Sequence, residues 1–105
     1  MTDDLVSSED PTTCATYLKA LGDPVRLRIV RALQNCPLTV SDLVQILDLE
    51  MANVSHHLRV LFHADLVTVE KSGKFSYYQL NPDFFSKSSS AKSLDFGCCK
   101  LNIRT

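Results

Sequence analysis

A chain of 105 residues, 45% of them apolar and with a formal net charge of −1, has room for one domain with a modest core. It is too apolar for a disordered segment, and no apolar run approaches the roughly 20 residues that a membrane-spanning helix needs. The near-neutral charge excludes indiscriminate coating of nucleic acid, so any DNA contact must come from a local arrangement of positive side chains.

The opening MTDDLVSSED is polar and acidic where a secretory signal would be basic and then greasy, and reads as a frayed tail of a cytoplasmic protein. From Pro11 the pattern becomes helical. Cys14, Leu18 and Leu21 recur at helical spacing, Pro11 suits a first turn and Gly22 a stop. Asp23 can then cap a second helix, with Pro24 at its first position, running to about Gln34. That helix should bury Ile29, Val30 and Leu33 and leave Arg26, Arg28 and Arg31 able to reach solvent. Pro37 closes it. Thr39 is a candidate cap for a third helix, with Asp42 placed for a capping box and Val40, Leu43, Val44 and Leu47 as its buried stripe.

The short link from Asp48 to Glu50 leads into LEMANVSHHLRVLFHADL, the stretch around which the chain is organised. On a helical wheel Val54, Leu58, Leu61 and Phe62 share one stripe. Opposite lie Asn53, His56, Arg59, Val60 and His63, with Ser55 and His57 on the flanks. Short polar groups and an arginine on the outer face of the second of two closely joined helices can read base edges in a major groove, as in a helix-turn-helix. The same pattern suits an ordinary amphipathic surface helix, and all three histidines read as DNA-facing or surface groups.

Beyond Asp65 the period becomes strand-like. LVTVEK and KFSYYQL, separated by Ser72 and Gly73, form a hairpin signal with Lys71 and Lys74 at its tip, placed to approach phosphates. A hairpin after a helix-turn-helix is a wing, so the expected fold is mainly α with a small β-hairpin: a winged helix-turn-helix. A hairpin tip needs polar residues in any case. Pro82 ends the strand, and NPDFFSKSSSAKS suggests one helical turn passing into a serine-rich linker. In LDFGCCKLNI the apolar residues alternate, which suggests two short extended pieces with a kink at Gly97 or between Cys98 and Cys99. The chain thus divides into an acidic tail (1–10), the winged domain (11–86) and a linker with a cysteine-containing tail (87–105).

The run LKALGDPVRLRIVRAL, followed by LTVSDL, ANVSHHLRVL and GKFSYYQL, resembles the ArsR/SmtB family of metal- and stress-sensing repressors over roughly Cys14 to Leu80. The resemblance implies a winged-helix homodimer that binds an inverted-repeat operator and releases it when an inducer binds. It places Asn53, Ser55, His56 and Arg59 against DNA on the recognition helix and Lys71 and Lys74 on the wing. Two family metal sites have no counterpart. Thr39, Val40 and Ser41 stand where many members have Cys-Val-Cys, and no Asp, His and Glu set lies on a long last helix after Pro82. The shortened last helix also leaves the usual dimer contact open, and the apolar tail could replace it.

Four cysteines without an export signal favour reduced thiols over a disulfide framework. Trivalent arsenic or antimony is soft and takes three thiolates in a pyramid. Cys98 and Cys99 offer two if the backbone turns at Gly97, and Cys14, on the first helix beside the expected dimer seam, is the candidate third. Cys14 equally suits a core position, and Cys36, beside Pro37, reads as a small buried residue. Oxidation or persulfidation of Cys98 and Cys99 is the alternative signal, with no obligatory cofactor in either case. A thiol redox enzyme would lack the usual C-x-x-C at a helix start, and a protein-interaction module without DNA binding would leave the Ser55, His56 and Arg59 face unexplained.

Overall fold

The computed structural model describes residues 11–84, 93–96 and 100–102. Helices α1 (Pro11–Leu21), α2 (Pro24–Leu33), α3 (Val40–Leu47) and α4 (Met51–His63) are followed by strands β1 (Val67–Ser72), β2 (Phe75–Leu80), β3 (Ser93–Asp95) and β4 (Lys100–Asn102). This is the expected winged helix-turn-helix. No helix among the described residues is long and apolar enough to cross a membrane.

The starts of α2 and α3 are capped by side chains. The Asp23 carboxylate accepts from the amides of Val25 at 2.9 Å and Arg26 at 3.1 Å, satisfying donors that the first turn of α2 leaves open. At α3 the capping box is complete: the Asp42 amide donates to the Thr39 hydroxyl at 3.1 Å, and the Thr39 amide to the Asp42 carboxylate at 3.0 Å. Asp48 ends α3 in the left-handed region, φ 58°, turning the chain within three residues into α4. Glu50 makes no side-chain cap bond at α4.

The core gathers Ile29 and Val30 of α2, Leu43 and Leu47 of α3, and Val54, Leu58 and Leu61 of α4, closed by Leu66, Val67 and Leu80 at the base of the wing. Phe62 does not join it and remains 44% exposed. At about 100° per residue, Leu58 and Leu61 fall within roughly 40° of Val54 whereas Phe62 falls roughly 80° away, at the edge of the stripe. Leu18 is likewise 45% exposed, unlike Leu21. Cys36, expected to be buried, is exposed, because it lies in the link after α2 rather than under a helix.

Strands β1 and β2 pair antiparallel from Val67 opposite Leu80 to Ser72 opposite Phe75. The central turn residues are therefore Gly73 and Lys74, one position later than Ser72 and Gly73. Gly73 takes φ 63°, the glycine-favouring conformation that the first position of a primed hairpin turn requires. Leu38 joins this sheet, exchanging backbone hydrogen bonds of 2.9 and 2.8 Å with Tyr78, so the α2–α3 link ties the wing to the helices.

Strands β3 and β4 pair antiparallel, Ser93 opposite Asn102, which agrees with two short extended pieces. The kink residues Gly97, Cys98 and Cys99 lie outside the described residues, as does most of the serine-rich stretch. Phe96 anchors this region to the domain. It is 4% exposed, with ring centroids 4.9 Å from Tyr17 on α1 and 5.2 Å from Phe84.

Candidate nucleic-acid interface

Helix α4 is two-sided. Val54, Leu58 and Leu61 bury one face, and Asn53, His56, Arg59 and His63 are exposed on the other, with Ser55 half-buried at the edge facing the wing. Val60, expected on the outer face, is half-buried and packs against the core. Asn53 and His56, one turn apart in the N-terminal half, and Arg59, one turn further, stand where an amide, an imidazole and a guanidinium can enter a groove together. Lys71 and Lys74 are exposed at the far end of the hairpin, and the Lys74 ammonium sits 5.8 Å from the Phe75 ring centroid.

His57 is the exception among the histidines. Its side chain is 12% exposed, and it turns inward to the start of α2. There Arg26 Nη1 donates to His57 Nδ1 at 3.1 Å, Arg26 Nε donates to the Ala20 carbonyl, and the Asp23 carboxylate lies 3.8 Å from His57 Nδ1. One cluster thus caps α2, closes the end of α1 and fixes the roll of α4. Burial lowers the His57 pKa from its ordinary value of 6.5, against the opposing pull of Asp23 and assisted by the positive charge of Arg26 and by His56. Asp23 is also lowered, first by the Arg26 amide that donates to it and then, against its partial desolvation, by the Val25 amide and by the charges of His57 and Arg26. A neutral His57 is the form that can accept from Arg26. The sequence carried a signal for this: His57 falls roughly 60° from Val54 on the wheel, nearer the buried stripe than the outer face. Arg28 is not simply solvated either, since its Nη2 donates to the Leu47 carbonyl at 3.1 Å and ties α2 to the end of α3.

Of the candidate thiols, Cys14 is half-buried on α1 and its sulfur is bonded in a disulfide, whereas Cys36 is free. Cys98 and Cys99 lie outside the described residues. Among the described residues no three His, Cys, Asp or Glu side chains are grouped to hold a metal ion.

A helix-turn-helix domain model matches residues 21–70, the segment from the end of α1 through most of β1. The chain is 33% identical over 95 residues to the arsenical resistance operon repressor of Staphylococcus xylosus, covering 87% of this chain and 91% of that one. It is 39% identical over 75 residues to the transcriptional regulator NmtR of Mycobacterium tuberculosis, a match that spans 71% of this chain but only 62% of the relative. Among solved structures, HlyU from Vibrio cholerae superposes with a TM-score of 0.67 at 28% identity, over 70% of this chain and 80% of that one. Two-sided α4, the capped α3 before it, the hairpin behind it and near full-length similarity to a repressor agree: the chain belongs to the ArsR/SmtB family of winged-helix, DNA-binding transcriptional repressors.

Proposed function

We propose that the chain acts as a homodimer that reads an inverted-repeat operator through Asn53, Ser55, His56 and Arg59 of α4, steadied by Lys71 and Lys74 against phosphates, and that a thiol signal releases it. The observation that carries the reading is the outer face of α4, exposed and polar while the opposite face is locked into the core. The exposed apolar Leu18 on α1 is available to a second subunit. The sensor consists of Cys14, Cys98 and Cys99. As an arsenite or antimonite site, their three thiolates would bind the ion through sulfur, a reading supported by the similarity to an arsenical resistance repressor.

A second reading is supported by the disulfide-bonded state of Cys14. Oxidation of two thiols to a disulfide passes two electrons and two protons to an oxidant, and that covalent tie can itself be the signal. Both readings act through α1, which contacts α4 and carries Cys14.

The test uses an inverted-repeat duplex that the protein itself selects from random sequence. Lys71→Ala and Lys74→Ala should each reduce the salt dependence of binding by about one phosphate contact, and Arg59→Ala should cost about 1 to 3 kcal/mol and relax base preference. Arsenite should release the fully reduced protein, and diamide should release it in the oxidative reading, with both effects lost in Cys98→Ser, Cys99→Ser. Release by zinc alone, unchanged in that variant, overturns the thiol assignment.

A further inference from the structure

We propose that the crevice between α1 and α4 binds a small organic carboxylate, one apolar ring or branch bearing an acid group, and that this ligand competes with DNA for the outer face of α4. The crevice has a volume of about 470 Å³, within the ordinary range for a small-molecule site. Its inner wall is apolar: Ala20 is 5% exposed, and Val60 and Ala64 pack against the core. Its rim is basic, with Lys19 from α1 facing His56, Arg59 and His63 from α4. Arg26 stands at one end, held by the Ala20 carbonyl and His57, so its charge has a fixed position.

The lining holds no carboxylate, and among the described residues Lys19, Arg59 and His63 make no ion pair. Charge of one sign around an apolar floor asks for a ligand with both properties. Inorganic phosphate would satisfy the rim and leave the floor wet, and a neutral ring would cover the floor and leave the cations unmatched.

Coupling to DNA rests on the repressor reading. His56 and Arg59 belong both to this rim and to the proposed base-reading set, so a carboxylate that draws them toward α1 withdraws them from the groove. By linkage, DNA must weaken the carboxylate by the same factor.

Benzoate, benzamide and inorganic phosphate separate the contributions of charge and apolar surface. Titrated into the uniformly labelled full chain without DNA, benzoate should give saturable amide shifts at Lys19, Ala20, Val60 and Ala64. Benzamide and phosphate should bind at least about tenfold more weakly. The Lys19→Gln variant should lose benzoate binding by a similar factor while keeping its affinity for the selected duplex. Benzoate should then release wild type from the duplex and leave the variant bound. Shifts absent from these residues, equal shifts with phosphate, or shifts unchanged in the variant overturn the site. Saturable binding without release overturns the competition. If the protein binds no duplex at all, the repressor reading fails while the free-protein titration still decides the site.

Discussion

His57 shows how a side chain on the flank of α4 can be structural, turned into the domain and away from the exposed face. It accepts from Arg26 and lies beside Asp23, so α4 is registered against the start of α2 by a neutral imidazole. Because its folded pKa lies below the ordinary 6.5, the unfolded chain binds more protons just below that pH. Its contribution to stability is complete above 6.5 and declines as pH falls through 6.5 toward the lowered folded value. Asp23 acts in the same direction lower on the scale, its contribution present above 3.8 and declining as pH falls toward its own lowered value. The melting temperature should therefore drop between about pH 7 and pH 5, and His57→Asn, which keeps an acceptor for Arg26 and does not titrate, should flatten that drop. His57→Leu removes the acceptor and should cost about 1 to 3 kcal/mol, with weaker operator binding. An unchanged pH profile in His57→Asn would refute the assignment.

At the scale of elements, short helices in a small domain depend on their ends. Helix α3 has eight residues, fewer than an isolated helix needs, and it carries a reciprocal cap formed by Thr39 and Asp42. Thr39→Ala and Asp42→Ala should each lower unfolding free energy by about 1 kcal/mol, and the double variant should lose less than the sum, because either change breaks the same box. Urea unfolding of the four proteins in that cycle measures it. The β3–β4 region depends on a different device, a three-ring cluster in which Phe96 stacks on Tyr17 and meets Phe84 edge-on. Phe96→Ala should cost about 3 to 5 kcal/mol and free the β3–β4 region from α1, seen as faster hydrogen exchange at Ser93–Asp95 than elsewhere. A loss under about 1 kcal/mol would show that the tail is not held by this ring.

For the whole molecule, the reading heads must fit the DNA repeat. Two α4 helices related by a twofold axis can enter successive major grooves only if the half-sites lie about one helical turn apart, roughly 10 base pairs. Insertion of about 5 base pairs between the half-sites should abolish tight binding, while insertion of about 10 should restore part of it if the dimer flexes. Anisotropy titration on the three duplexes reads the outcome, and equal affinity for all of them would mean that each subunit binds alone.

Local chemistry, read from residues alone, set much of this protein: Asp23 and Thr39 as caps, the α4 stripe of Val54, Leu58 and Leu61, and the hairpin at Gly73. Each depends on neighbours within a few positions in the chain, which is why periodicity and turn residues reveal them. The three-dimensional arrangement decided the rest. Whether His57 faces DNA or Arg26, whether Phe62 and Cys36 are covered, and how Phe96 meets Tyr17 are settled by residues far away in sequence. A helical wheel ranks positions by angle, but burial depends on what packs opposite each angle. The crevice beside α4 belongs to this second class, since its rim joins Lys19 to His63 across forty-four positions of chain and exists only once α1 and α4 are packed together.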